Sequence, residues 1–156
     1  IAWAVYNSLA KKFDGSCFLN VGEEPMQDED LVRLQIILLS KILPGKQLEV
    51  FTHVREGMTM IQNRLRTKRV LIILDNVNQP DQLKKLVGNK SWFGDGSRIL
   101  ITTRDKRLLS DHGVKLRYDL KELNPREAKE LFSAHAFIGE CPNEYVNLAE
   151  ELVEYT

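Results

Sequence analysis

Cysteine is scarce in this chain, and the two that occur, Cys17 and Cys141, lie far apart without any Cys-x-x-Cys or Cys/His spacing. That argues against a disulfide framework and a zinc site, and suits a reducing, intracellular setting. An excess of either charge is also missing: 22 Lys and Arg balance 22 Asp and Glu, so no broad field draws in nucleic acid or an anionic membrane. No apolar run approaches the ~20 residues of a membrane span, and there is no charged-then-apolar leader. Internal repeats and low-complexity segments are absent. The three histidines, His53, His112 and His135, are scattered with no Ser or Cys nucleophile in a recognisable arrangement, which speaks against a hydrolase triad or a histidine metal site.

What is present is a chain of 156 residues, 43% hydrophobic, enough for one cored domain or one domain plus part of another. It begins at Ile1 with Ala2, Val5 and Leu9 already at helical spacing, so position 1 is expected to lie inside a longer protein. The most informative stretch is Val70-Leu71-Ile72-Ile73-Leu74-Asp75-Asn76. A run without polar alternation, preceded by Lys68-Arg69, reads as a strand buried on both faces of a parallel sheet. Asp75 then sits at the carboxyl end, the edge at which open α/β sheets bind ligands. Two readings of it stay open: a carboxylate that holds hydrated Mg²⁺ beside a phosphate chain, or a cap for the next turn.

Around that strand the pattern alternates. Ile1 to Lys12 reads as a helix and Ser16 to Val21 as a short strand after the Asp14-Gly15 turn. Leu31, Leu34, Ile37, Leu38 and Ile42 mark a helix closed by Pro44-Gly45; Val54, Met58, Ile61 and Leu65 mark another, weakened by Gly57. The basic cluster Arg64, Arg66, Lys68 and Arg69 falls where that helix should end, which suits its carboxyl terminus. Gln79 to Val87, with Pro80 in its first turn and Gly88 beyond its end, reads as a short helix. Arg98 to Arg104 repeats the design of an apolar strand with a polar tip, and Leu116 to Leu120 is expected to be a further strand. Asn124-Pro125-Arg126-Glu127 supplies an N-cap, a first-turn proline and a capping-box glutamate. The apolar positions Ala128, Leu131 and Phe132, then Tyr145, Leu148, Ala149 and Leu152, follow at helical spacing. The expected architecture is a doubly wound α/β domain over residues 1–120 and the start of a helical subdomain over 121–156.

Parallel strands ending on one edge would bring Asp75 and Arg104 to opposite sides of one crevice. A carboxylate for the metal's waters and a guanidinium for the terminal phosphate make a Mg²⁺-phosphate site, to which Thr102 and Thr103 can add hydroxyl hydrogen bonds. The competing reading pairs Arg104 with Asp105 on a solvated turn.

Four ordered stretches, Phe13 to Val21, Arg69 to Asn78, Gly96 to Asp105 and Tyr118 to Phe137, with Leu108-Leu109 and His112-Gly113-Val114 between them, resemble successive motifs of the nucleotide-binding (NB-ARC) domain of plant NBS-LRR disease-resistance proteins. The Phe13 to Val21 stretch and the lack of Trp at position 78 look more like the class that begins with a Toll/interleukin-1 receptor-like domain. This resemblance implies a P-loop NTPase-type sheet whose first strand and glycine-rich phosphate loop precede Ile1. It also implies that this strand lies between Val70–Asp75 and Arg98–Arg104. Further implied are ADP or ATP and Mg²⁺ as ligands, with Asp75 as the Walker B aspartate and Arg104 as the sensor arginine. The partners would be the N-terminal signalling domain and leucine-rich repeats of the same receptor, oligomerisation would follow exchange of ADP for ATP, and the setting would be the cytoplasm, or the nucleus.

Departures accompany the resemblance. Asn76 stands where the family most often has a second acid, and an amide cannot take a proton from an attacking water. Trp3 stands where a basic residue is usual, though an apolar helix position explains it equally well. Three functions are therefore weighed: a nucleotide-dependent regulatory switch, an ATP-hydrolysing P-loop enzyme, and a phosphate-receiving signalling domain with Asp75 as acceptor.

Overall fold

The computed structural model describes residues 1–22, 26–46 and 50–136. Its elements are α1 (Ala2–Leu9) with a 3₁₀ turn (Ala10–Lys12), β1 (Gly15–Asn20), α2 (Asp28–Ile42), α3 (Val54–Leu65), β2 (Val70–Asp75), α4 (Pro80–Val87), a second 3₁₀ turn (Lys90–Trp92), β3 (Arg98–Ile101), α5 (Lys106–Asp111) and α6 (Pro125–Ala136). Contacts divide the chain into Ile1–Lys115 and Leu116–Thr156. The helical positions expected at Tyr145, Leu148, Ala149 and Leu152 fall outside the described residues, as does Cys141.

The first unit is an α/β sandwich on a three-stranded parallel sheet of order β1-β2-β3. Strand β2 occupies the centre because its side chains have no polar face to show: Val70 to Leu74 are at most 2% exposed. Each such side chain contributes about 1.5–3 kcal/mol by leaving water. Alternation along the strands sorts the two faces. Cys17, Leu19, Val70, Ile72 and Leu74 join the main core with residues of α2, α3 and α4. Phe18, on the opposite face, meets Trp3 edge-on at 4.7 Å and Tyr6 at 5.9 Å, so α1 covers the other side. Helices on both faces of a parallel sheet are the doubly wound arrangement expected of a P-loop NTPase-type domain.

The amino ends of the strands are laced together. Asp14 accepts the Arg69 N–H on Oδ2 at 2.9 Å and donates its own N–H to the Arg69 carbonyl at 2.8 Å. The Arg69 guanidinium donates to the Lys12 carbonyl at 2.6 Å and lies 5.7 Å from the Phe13 ring centroid. Ser97 Oγ accepts the Val70 N–H at 3.0 Å and donates to Gly94 at 2.6 Å. Arg69 is thus a brace between β1 and β2, a role beyond the helix-terminus charge expected of its cluster.

Two expectations are overturned. No strand lies between β2 and β3: Leu71 pairs with Arg98, Ile72 with Ile99, Ile73 with Leu100 and Leu74 with Ile101. Paired strands sit about 4.8 Å apart, which leaves no room for another. Leu116 to Leu120 is not a strand either. Its apolar positions are in solvent, with Leu116 92% exposed, and period-2 alternation without a ladder partner or a face to bury does not hold a strand. By contrast α6, described on its own, has the cap that was read from its sequence. Asn124 Oδ1 accepts the Glu127 N–H at 2.9 Å and Glu127 Oε2 accepts the Asn124 N–H at 3.0 Å.

Candidate functional site

The carboxyl edge of the sheet collects polar residues from all three strands. In register, Asn20 stands opposite Asp75, and Leu74 opposite Ile101, so Thr102 follows beside Asp75. Backbone bonds continue past the regular ladder. The Val21 N–H donates to the Asp75 carbonyl, the Thr102 N–H to the Leu74 carbonyl and the Val77 N–H to the Thr102 carbonyl, each at 2.9 Å. The strand tips are therefore fixed with respect to one another.

Asp75 is half-buried. Its Oδ1 accepts from the Thr102 hydroxyl at 2.6 Å, a short bond of the charge-assisted kind. The same hydroxyl accepts the Asn76 N–H at 3.0 Å. Asn76 has φ 65°, a left-handed conformation that Asn tolerates better than most residues and that collects at functional sites. The turn exits through buried Val77 into a brace made by Gln82, which is fully buried. Gln82 Oε1 accepts the N–H groups of Asn78 and Gln79 at 2.9 and 3.1 Å, while its Nε2 donates to Asn78 Oδ1 at 3.0 Å. Gln82 thereby caps α4 and holds the loop after Asp75 against the core.

On the β3 side, Thr103 Oγ1 accepts the Asp105 N–H at 3.0 Å. Asp105 caps α5 by accepting the Arg107 N–H at 2.8 Å, and its Oδ1 lies 3.9 Å from Arg107 Nε. Arg104 is exposed between them. The structure thus joins Asp75 directly to Thr102, and places Thr103 and Arg104 in the next two positions along the same segment.

Among the described residues no group of three or more His, Cys, Asp or Glu could hold a metal unaided. A single carboxylate does fit Mg²⁺ delivered with phosphates, because that ion keeps most of its waters and needs only one or two protein carboxylates. Asp75 has the chemistry for this: Oδ1 is occupied by Thr102, and Oδ2 takes no hydrogen bond among the described residues.

Three participants were not singled out in the sequence. Asn20 ends β1 on the same edge and accepts the Gly22 N–H on Oδ1 at 3.0 Å; the recurring design of an apolar run with a polar tip was its available signal. The Asn76 N–H and the Gln82 brace had none, since both depend on backbone conformation. His53 and His112 lie at helix ends and His135 on a helix face.

Comparison with known proteins covers the same stretch. The NB-ARC domain family model matches residues 1–141. Over 99% of its length the chain is 38% identical to Disease resistance protein RUN1 of Vitis rotundifolia and spans 12% of that protein. It is likewise 38% identical to TMV resistance protein N of Nicotiana glutinosa, spanning 14% of it. With Disease resistance protein RPP2B of Arabidopsis thaliana the identity is 37%, and the chain again spans 12%. The chain thus corresponds to about an eighth of the length of these relatives. No helix among the described residues is long and apolar enough to cross a membrane.

Proposed function

Since the chain belongs to the NB-ARC domain family, we propose that it is the ADP- and ATP-binding switch segment of an intracellular plant immune receptor. In this reading residues 1–120 belong to the nucleotide-binding α/β subdomain and 121–156 open the helical subdomain. The receptor acts in the cytoplasm, or in the nucleus. The partners are nucleotide and the other domains of the same polypeptide, an N-terminal signalling domain and leucine-rich repeats, with oligomerisation when ATP replaces ADP.

The observation that carries the reading is the Asp75 carboxylate, anchored on one oxygen and open on the other, at the tip of a strand buried on both faces. Asp75 would hold Mg²⁺ through its waters, Arg104 would read the terminal phosphate, and Thr102 and Thr103 would line the same edge. Bound Mg²⁺ supplies charge neutralisation between the phosphates. The chain's own contribution is orientation, from the hydrogen-bonded strand tips, and a positive fork at Arg104.

A switch is favoured over a hydrolase by Asn76. Its left-handed backbone places an amide, not a carboxylate, next to Asp75, and an amide is no general base. The full-length protein tests both readings. It is expected to retain ADP or ATP, and Asp75→Ala is expected to weaken Mg²⁺-supported binding by about tenfold or more while sparing binding in chelator. Folded full-length protein that binds neither nucleotide overturns the proposal. Sustained phosphate release would favour the enzymatic alternative.

A further inference from the structure

We infer that Thr102 is the positioning residue for Asp75: its hydroxyl fixes Oδ1 and leaves Oδ2 as the oxygen that serves the waters of nucleotide-borne Mg²⁺. This rests on the nucleotide reading above and assigns Thr102 a role other than touching phosphate. A threonine hydroxyl has one proton to donate. Here that proton goes to Asp75 Oδ1 at 2.6 Å, so none remains for a phosphate oxygen.

The hydroxyl is itself held. Its oxygen accepts the Asn76 N–H at 3.0 Å, which makes an N–H to O–H to carboxylate chain whose links polarise one another. The backbone of Thr102 is pinned on both sides, through its N–H to Leu74 and its carbonyl from Val77. A β-branched side chain on a fixed backbone has few χ1 choices. Strand β3 therefore dictates the orientation of a carboxylate carried by β2, and the residue that does so lies two positions before Arg104. One short segment, Thr102 to Arg104, sets the metal side of the site and carries the phosphate-reading cation.

The test compares Thr102→Val, which keeps the branched shape and both backbone bonds but removes the hydroxyl, with Thr102→Ser, which keeps the hydroxyl. Nucleotide affinity of the full-length protein is measured in Mg²⁺ and in chelator. Thr102→Val is expected to lose about tenfold of the Mg²⁺-supported affinity with none lost in chelator, and Thr102→Ser to stay within about twofold of wild type, the scale of effects for groups that orient a metal ligand. Ligand-free unfolding gives a second readout. Thr102→Val and Asp75→Ala are expected to be non-additive in a double-mutant cycle, because each removes the same hydrogen bond.

Equal losses with and without Mg²⁺, failure of serine to rescue, an unchanged Thr102→Val protein, or additivity in the cycle would each overturn the positioning role while nucleotide binding by wild type stood. Wild-type protein that binds no nucleotide overturns the nucleotide reading, and the role of Thr102 with it. Should Thr102→Val yield too little folded protein, Thr102→Ala against Thr102→Ser makes the same comparison.

Discussion

Cys17 shows what a buried position does to a side chain's chemistry. It is fully enclosed on the α2 face of β1. Burial pushes its thiol from 9.0 up to about 12, against a smaller downward pull from the Lys41 ammonium, because a thiolate there would lose its water. The folded state thus keeps the proton longer than the unfolded state does. Stability from this group is complete below pH 9 and is lost as pH rises from about 9 to about 12, where the unfolded chain ionises first. In a Cys141→Ser background, Cys17 is expected to react with a thiol reagent at pH 8 only as fast as the protein unfolds, and Cys17→Ala to flatten the alkaline fall in unfolding free energy. Rapid labelling of folded protein would contradict this. Trp3 carries a different lesson. Sequence left it an apolar helix position, and it is 56% exposed, yet it stacks on Tyr6 at 5.4 Å and against Phe18. Its exposure depends on how α1 sits on the sheet, which periodicity does not encode.

Between elements, the two helix glycines illustrate legibility in physical terms. Gly57 reads in the sequence as a weak point of α3, and Gly88 as a residue just past the end of α4. Gly88 does stand there, but its φ is −39°, so left-handed geometry is not its reason. A Cβ would lie 2.5 Å from the Lys84 carbonyl and 2.9 Å from the Trp92 ring. Gly57 is likewise a close-approach residue: a Cβ there would collide with Gln35 Oε1 and stand 2.6 Å from the Phe51 ring. Gln35, fully buried on α2, donates from Nε2 to the Val54 carbonyl at 3.0 Å and to the Lys85 carbonyl at 2.9 Å, so one side chain joins α2, α3 and α4. Lys85 adds ion pairs to Asp28 at 2.9 Å and Asp81 at 3.1 Å, both of which raise its pKa. Gly57→Ala brings about 1 kcal/mol of helix propensity against about 1–3 kcal/mol of overpacking. Overpacking is expected to win, because Gln35 is held by two carbonyls and cannot swing aside. In a Gln35→Ala background the penalty of Gly57→Ala should shrink, leaving the part due to the Phe51 ring, read by urea denaturation as a double-mutant cycle. Stabilisation by Gly57→Ala in the wild-type background would show that the helices do not meet at this residue.

For the molecule as a whole, the sheet was legible where burial alone decides and obscure where pairing decides. The run Val70 to Leu74 read as a strand buried on both faces, and the polar tips at Asp75 and Thr102 marked one edge. Neighbour order was not legible, because a strand's sequence states which faces are buried and not which backbone it will bond. The expected intervening strand was therefore misplaced, and the direct pairing of β2 with β3 is what lets Thr102 reach Asp75. That geometry has a consequence for the stability of the full-length protein. A ligand that binds only the folded state adds RT ln(1 + [L]/Kd), about 2.7 kcal/mol at a hundredfold excess over Kd. If nucleotide engages the sheet edge through Mg²⁺ at Asp75, the rise in unfolding temperature with added ADP or ATP should be larger with Mg²⁺ than with chelator. In Asp75→Ala the two conditions should give the same rise, since whatever nucleotide contacts remain do not involve the metal. A Mg²⁺-dependent increment that survives Asp75→Ala would place the metal on other residues, and the edge formed by Asn20, Asp75 and Thr102 would then be a fold-stabilising seam whose polar tips serve one another.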